Sequence, residues 1–325
     1  MLSLAHDEPQ RLDKQASQII HSLSAVLPPP GVSAGSVRQH YAESRRPLFG
    51  PKLPVASVDQ LGTAGPDGPH LTLFRPPGVG AGSPSTYLFL HGGGWTVGDL
   101  ATYEALCRRL CTHLKANIIF VDYRLAPEHP YPAALQDADH ACRFVFENAV
   151  ALGFNPERIG LIGDSAGANL AAVLALLNRN GKLGRKFLAQ VLIYPCLDLT
   201  NSLPSHMLFG QGYLLTSEVY DWYIANYAAG HNRRDWRISP LLTPDVSGVA
   251  PAVILNAGFD ILRDEASAYV ERLRQAKVPV KKVSFPDMIH GFINMAGGLS
   301  QADLAVQCIR ASLHTLLANR RPVRN

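Results

Sequence analysis

A serine stands in the middle of the pentapeptide Gly163-Asp164-Ser165-Ala166-Gly167, which fits the pattern G-x-S-x-G of a strand-to-helix turn that carries a nucleophilic serine. An apolar run at residues 158–162 precedes it, and a helical run at residues 169–177 follows it. A tight turn strains the backbone at the serine, and glycines two residues away on either side let strand and helix approach closely. The pattern therefore predicts Ser165 as a nucleophile; the alternative is a turn of small residues without chemistry.

The segment His91-Gly92-Gly93-Gly94-Trp95 follows another apolar run, at residues 86–90. Consecutive glycines leave backbone N–H groups free to approach a ligand closely, as the stabilisation of a developing oxyanion requires. The segment also precedes the serine by the interval at which such a donor loop is expected. The candidate donors are the amides of Gly92, Gly93 or Gly94, together with that of Ala166. The alternative is a flexible turn.

A serine hydroxyl is a weak nucleophile near neutral pH, so the site needs a base. Among the 12 histidines, His290 has the most suitable place, because it lies near the C-terminus in the loop after the apolar run at residues 280–285. The order serine, acid, histidine along the chain puts the base there. The other histidines are interpreted as surface residues or as core residues with satisfied hydrogen bonds.

The acid of such a site must orient the imidazole and stabilise its cation. Asp260 meets this demand, because it lies shortly after the strand-like run at residues 252–256 and should face the same edge of the sheet. Asp264 and Glu265 are rivals, but their position suits the first turn of the following helix, where the helix dipole favours acids. Asp287, three residues before His290, is expected at most to influence that histidine.

These side chains can meet only if the elements before them share one edge of a sheet. Apolar runs typical of buried strands alternate with helical stretches, which predicts an α/β fold with a mostly parallel central sheet flanked by helices. The predicted strands are residues 70–74, 86–90, 117–123, 158–162, 189–194, 252–256 and 280–285, and the predicted helices after residue 100 are 101–115, 133–149, 166–177, 264–276 and 302–317.

Two segments go beyond this alternation. Helical spacing of apolar residues predicts a helix over residues 8–27 and a second, short one over residues 36–44. A long stretch rich in aromatic residues separates the runs 189–194 and 252–256, where a crossover needs only about a dozen residues. We therefore predict a catalytic domain of residues 51–198 and 236–325, the N-terminal helical part of a cap over residues 1–50, and a cap insert over residues 199–235.

The composition excludes several classes of protein. The chain has 325 residues, of which 47% are hydrophobic and 17% charged, as in a globular protein with a large core. A net charge of +4 with scattered basic residues leaves no footprint for nucleic acid. The longest apolar stretch, residues 166–177, is too short to span a membrane, and the N-terminus lacks the pattern of a signal peptide. The five cysteines, without a C-x-x-C pair, indicate reduced core thiols. We therefore predict a cytoplasmic protein that binds neither nucleic acid nor membrane.

Together the motifs resemble the hormone-sensitive lipase family of α/β-hydrolases, in particular its bacterial acetyl esterase and carboxylesterase branch. The similarity includes the stretches DYRLAPEHPYPAA at residues 122–134, DILRDE at residues 260–265 and HGF at residues 290–292. The resemblance covers the chain from about residue 54 onwards. It implies the α/β-hydrolase fold with a helical cap and a triad of Ser165, Asp260 and His290, in which Asp260 rather than Asp264 is the acid.

The same resemblance implies a carboxylesterase that hydrolyses small-molecule esters with short acyl chains through an acyl-enzyme intermediate. Amide, lactone or carbamate hydrolysis by the same triad is the nearest alternative. A catalytically silent binding protein on the same fold is a second alternative, against which the presence of His290 argues. No motif indicates a metal or a cofactor, and we predict neither. A sheet that ends in residues 280–285 could pair edge to edge with a second copy, which would form a homodimer.

Overall fold

We describe the fold from a computed structural model, which describes residues 11–23, 32–65, 68–78 and 84–318. Within these residues one eight-stranded sheet has the strand order β1-β2-β4-β3-β5-β6-β7-β8. The strands are β1 Ser57–Thr63, β2 His70–Arg75, β3 Thr86–Leu90, β4 Asn117–Asp122, β5 Ile159–Asp164, β6 Gln190–Ile193, β7 Ala252–Phe259 and β8 Val280–Ile289.

The sheet is parallel from β4 to β8. β3 pairs in parallel with β4 and β5, and parallel pairing continues through β6 and β7 to β8. β2 pairs antiparallel with both β1 and β4. The prediction of a mostly parallel sheet is therefore confirmed. The edge strand β1 was not predicted, because its sequence SVDQLGT is only half-buried and contains Asp, Gln and Gly, which strands rarely favour.

Five of the described helices flank the sheet, and each corresponds to a predicted one: α3 Leu100–Leu114, α4 Ala133–Glu147, α5 Ala166–Leu177, α8 Arg263–Gln275 and α9 Gln301–Ala318. α3 packs against α9, and α4 packs against α5, which lies directly on β5 and β6. α5 is buried along almost its whole length, which explains why its sequence is apolar on every face.

Among the described residues, four further α-helices lie in the two segments outside this alternation. The N-terminal segment forms α1 Lys14–Ser22 and α2 Ala34–Arg45, and the insert after β6 forms α6 Pro204–Phe209 and α7 Ser217–Ala228. Residues 8–10 and 24–27 of the first predicted helix lie outside the described residues. The second predicted helix, residues 36–44, falls within α2.

All five cysteines are unpaired thiols, and four of them are buried. In the described part of the chain, none of the helices has the length and apolar character needed to cross a lipid bilayer.

A buried carboxylate connects the insert to the sheet. Glu265, in the first turn of α8, accepts the N–H of Asp198 at 2.8 Å and also that of Leu197, in the segment after β6. Its other oxygen lies 2.9 Å from Nε2 of His206 in α6. Burial raises the pKa of Glu265 to about 7, although His206 and the two N–H groups oppose that rise. This network fixes the path of the chain where the insert begins.

We expect Glu265→Ala to lower the free energy of unfolding by about 3 kcal/mol, because it leaves two buried N–H groups and a buried histidine without their acceptor. Urea denaturation followed by tryptophan fluorescence measures the change. The matched control is Glu271→Ala on the same helix, where the carboxylate only accepts an exposed bond from Gln275; its effect should stay within about 0.5 kcal/mol. Equal effects of the two substitutions would contradict this role of Glu265.

Candidate active site

Three side chains from distant parts of the chain lie within hydrogen-bond distance of one another. Nε2 of His290 lies 2.8 Å from Oγ of Ser165, and its Nδ1 lies 2.7 Å from Oδ2 of Asp260. The other carboxylate oxygen of Asp260 accepts the N–H of Leu262 at 2.9 Å. Asp260 is buried, whereas His290 is partly exposed. A base thus stands beside a hydroxyl, and a fixed carboxylate holds the far nitrogen of that base.

Each of these residues follows the carboxyl end of a parallel strand. Ser165 comes directly after β5, Asp260 directly after β7 and His290 directly after β8. Parallel strands that run in the same direction end at the same edge, so side chains placed directly after them converge there. The fold therefore brings together residues that are up to 125 positions apart.

The turn at Ser165 has an unusual backbone conformation, with φ 53° and ψ −118°, outside the regions that L-residues favour. The N–H of Ser165 donates to the Ile193 carbonyl at 2.9 Å, and its carbonyl accepts the N–H of Cys196 at 3.3 Å. Gly167 lets α5 lie against the end of β3, because a Cβ at this position would stand 1.9 Å from the Leu90 carbonyl oxygen. Hydrogen bonds to the chain around β6 and the close packing of α5 on β3 therefore hold the turn in its strained conformation.

The backbone N–H groups of the glycine segment after β3 differ in whether they have an acceptor. The N–H of Gly92 donates to Oδ1 of Asp164 at 2.7 Å and is therefore occupied. The N–H groups of Gly93, Gly94 and Ala166 have no acceptor among the described residues, and all three residues line the same cavity as the serine. Ala166 begins α5, where backbone N–H groups lack partners within the helix. The geometry favours these three amides as oxyanion donors and leaves Gly92 out.

Asp164 is a residue to which the sequence assigned no role. Its Oδ1 accepts the Gly92 N–H, and its Oδ2 accepts the Tyr103 hydroxyl at 3.3 Å. Burial raises the pKa of Asp164 to about 7, against the opposing effects of the Gly92 N–H and of nearby His290. Asp164 thus couples the serine turn directly to the glycine segment. The sequence could not reveal this, because the second position of G-x-S-x-G accepts any residue.

Helix α7 of the insert packs on the same glycine segment. Gly94 has φ 56°, and a Cβ on it would stand 2.1 Å from the ring of Tyr223. The ring of Trp95 stacks on that of Tyr227, with centroids 4.0 Å apart and planes inclined by 7°. The insert therefore holds the glycine segment in place as well as covering the serine.

Helix α2 also reaches the cavity in front of Ser165. Tyr41 and Arg45 of α2 line it together with Tyr220 and Tyr223 of α7. Sequence reasoning did not find Tyr41 or Arg45, because nothing in an amphipathic N-terminal helix indicates which part of the sheet it will cover.

The rival acids have other partners. Asp264 accepts the N–H of Ser205 in α6 at 2.9 Å and pairs with Arg263 at 2.8 Å. Asp287 lies within β8, and its carbonyl oxygen accepts the N–H of Asp13 at 3.0 Å. Neither carboxylate has a described contact with His290, so the geometry favours Asp260 as its partner.

Residues 87–294 match a protein family with the α/β-hydrolase fold. The chain belongs to the α/β-hydrolase family. This hydrolase is 39% identical over 287 residues to the carboxylic ester hydrolase LipN of Mycobacterium tuberculosis. The matched residues make up 85% of this chain and 76% of LipN. It is 36% identical over 290 residues to the ethyl acetate hydrolase of Pseudomonas putida, across 87% of this chain and 90% of that protein. The structure of the hyperthermophilic esterase from Pyrobaculum calidifontis matches it with a TM-score of 0.84 and 32% identity, over 94% of this chain and 99% of the other.

In this hydrolase we expect Gly167→Ala to lower the free energy of unfolding by about 3 kcal/mol, because the new Cβ would meet backbone atoms that cannot move aside cheaply. The control is Gly35→Ala in α2, where the nearest atom to a new Cβ is Oγ of Ser33 at 3.7 Å. That substitution should be neutral or stabilise the fold by up to about 1 kcal/mol. Thermal unfolding of both variants measures the difference, and a Gly167→Ala protein as stable as the wild type would contradict the close approach.

The raised pKa of Asp164 makes stability depend on pH. In the folded hydrolase this pKa is about 7, against an ordinary value of 3.8. The stability that the protonated carboxyl contributes is therefore fully present below about pH 4 and is lost as the pH rises through about 7.

Asp164→Asn cannot ionise and keeps an acceptor for Gly92. Its stability relative to the wild type should therefore increase by about 2.5 kcal/mol between pH 5 and pH 8. Urea denaturation at the two pH values tests this, and a difference that does not change with pH would contradict it.

Proposed function

We propose that the protein is a serine carboxylesterase that hydrolyses short-chain carboxylic esters through an acyl-enzyme intermediate. The observation that carries the proposal is the 2.8 Å contact between Nε2 of His290 and Oγ of Ser165, in a cavity also lined by Gly93, Gly94 and Ala166. The relatives named carboxylic ester hydrolase and ethyl acetate hydrolase support an ester as the substrate.

In the acylation half-reaction, Oγ of Ser165 attacks the ester carbonyl carbon while His290 accepts the hydroxyl proton. Asp260 stabilises the imidazolium that forms. The carbonyl oxygen becomes an oxyanion, which accepts hydrogen bonds from the free backbone N–H groups beside the serine. Because Ala166 is the first residue of α5, the positive end of the helix dipole adds to this stabilisation.

The protonated His290 then donates its proton to the leaving alkoxide, and the alcohol departs from the acyl-enzyme. In the deacylation half-reaction, His290 takes a proton from a water molecule as the water oxygen attacks the acyl carbon. The second tetrahedral intermediate collapses, the proton returns to Oγ of Ser165, and the carboxylic acid is released.

The relative named ethyl acetate hydrolase supports a preference for short acyl chains, and the lining of the cavity supports an apolar substrate group. Apolar and aromatic side chains suit an alkyl or acyl group, and the segments that supply them cover the serine. The insert contributes Leu214, Leu215, Val219, Tyr220 and Tyr223 to this lining. We accordingly assign residues 1–50 and 199–235 to a cap and residues 51–198 and 236–325 to the catalytic domain.

Two further expectations rest on particular features of the fold. β8 is the last strand of the sheet, so its outer edge could pair with β8 of a second copy and form a homodimer.

The unpaired state of all five cysteines supports a reducing compartment such as the cytoplasm.

We expect Ser165→Ala to reduce kcat on p-nitrophenyl butyrate by roughly 10⁴-fold or more, because the nucleophile is lost. A fluorophosphonate probe should label the wild type and leave the variant unlabelled. The control is Ser247→Ala in an exposed turn, where the serine bonds only to Asp245; this variant should retain wild-type turnover and labelling.

An acyl series from acetyl to dodecanoyl esters measures the chain-length preference. Highest kcat/KM at short chains supports the esterase assignment. Highest kcat/KM at long chains, or near wild-type turnover in Ser165→Ala, overturns the proposal.

A further inference from the structure

Arg45 places a positive charge at the cavity in front of Ser165. The other side chains that the N-terminal segment and the insert contribute to this cavity are apolar or aromatic. Arg45 is the last residue of α2 and lines the cavity together with Ser165, Tyr41 and Tyr223. Its guanidinium carbon lies 4.3 Å from the centroid of the Tyr41 ring, and its only hydrogen bond to a described residue is a long one, 3.4 Å, to Oγ of Ser44. The side chain is therefore held by stacking, while most of its N–H donors stay available.

The charge of Arg45 has no carboxylate partner among the described residues. Asp164 is the one carboxylate among the described residues that line the same cavity, and it accepts hydrogen bonds from Gly92 and Tyr103. Arg38, seven positions earlier on the same helix, is by contrast bound by both oxygens of Glu128, at 2.6 and 3.0 Å. The helix thus carries one arginine that connects α2 to Glu128 and one that lines the cavity in front of Ser165.

The charge of Arg45 affects the pKa of Tyr41 and that of Tyr223. Burial raises the pKa of Tyr41, and the nearby Arg45 opposes that rise. Burial likewise raises the pKa of Tyr223 to about 12, again against the effect of Arg45. Tyr223 in turn packs on Gly94, so one of the two rings that Arg45 affects lies against the glycine segment.

A planar guanidinium presents paired N–H donors that match a carboxylate, and stacking on an aromatic ring orients these donors in advance. We propose that Arg45 binds a carboxylate carried by the ester substrate, so that the preferred substrates are monoanionic esters. The anion could belong to the acyl part, as in the half-ester of a dicarboxylic acid, or to the alcohol part, as in an acylated hydroxy acid. The proposal rests on the esterase function proposed above.

The experiment compares matched charged and neutral esters by the rate of acid release in a pH-stat. Monoethyl glutarate and ethyl valerate test the acyl part, and 4-acetoxybutanoate and butyl acetate test the alcohol part. The quantity of interest is the ratio of kcat/KM for the charged ester to that for the neutral ester. The ratio cancels any effect that a substitution has on the fold or on the catalytic groups.

We expect Arg45→Gln to lower this ratio about tenfold in one of the two pairs, mainly through a higher KM for the charged ester. That pair identifies the part of the substrate that bears the anion. Arg45→Lys should keep only part of the ratio, because it keeps the charge but loses the paired donors and the stacking on Tyr41. Arg46→Gln, at the exposed neighbouring residue, is the matched control and should leave both ratios unchanged.

The proposal is overturned if Arg45→Gln leaves both ratios unchanged, or if charged and neutral esters lose activity in parallel, as expected for an arginine that only packs on Tyr41. In those cases Ser165-dependent hydrolysis of the neutral esters still supports the proposed function. If the wild type hydrolyses none of the esters, the proposed function fails instead.

Calorimetry on the Ser165→Ala protein then tests Arg45 without turnover. Monoethyl glutarate or 4-acetoxybutanoate should bind about tenfold more weakly when Arg45→Gln is added. Unchanged binding of both compounds overturns the proposal.

Discussion

The close approach of α5 to the ends of β3 and β5 is the constraint on which the site depends. Gly167 lies against the Leu90 carbonyl, and this contact brings the first N–H of α5 beside the glycine segment that follows β3. Ser165 adopts a positive φ in the same turn. Without this approach, the serine, the Ala166 amide and the amides of Gly93 and Gly94 would not face one space. The chemistry therefore depends on two backbones that touch.

The glycine segment is held from three directions, so its shape does not depend on its own flexible residues. From the sheet, Asp164 binds the Gly92 N–H. From α2, Arg38 donates to the Thr96 carbonyl at 2.8 Å. From α7, Tyr223 packs on Gly94, and Tyr227 stacks on Trp95. The helices that line the cavity thus also fix the segment that would bind the oxyanion, and substitutions in α2 and α7 can change turnover as well as specificity.

The sequence was most informative where local chemistry and local structure agree. Apolar runs located the parallel strands, and the positions just after them predicted that Ser165, Asp260 and His290 would converge. It was less informative about contacts between distant segments. Sequence periodicity does not predict the hydrogen bond from the Gly92 N–H to Asp164 or the position of Arg45 at the cavity. Both depend on packing between distant segments of the chain. The edge strand β1 escaped prediction for a related reason, since a half-buried strand with polar residues differs little from a loop.

The buried carboxylates at this edge of the sheet each connect two elements. Asp260 binds His290 and the Leu262 N–H, Asp164 binds Gly92 and Tyr103, and Glu265 binds the segment after β6 and His206. The pKa of Asp164 and that of Glu265 are both raised to about 7 by burial, so these connections cost stability near neutral pH. Buried charge is accepted here where it positions a reacting group or the chain around it. Arg45 is only partly buried and pairs with no carboxylate in the described part of the chain, so its charge stays available to a ligand of opposite charge that enters the cavity.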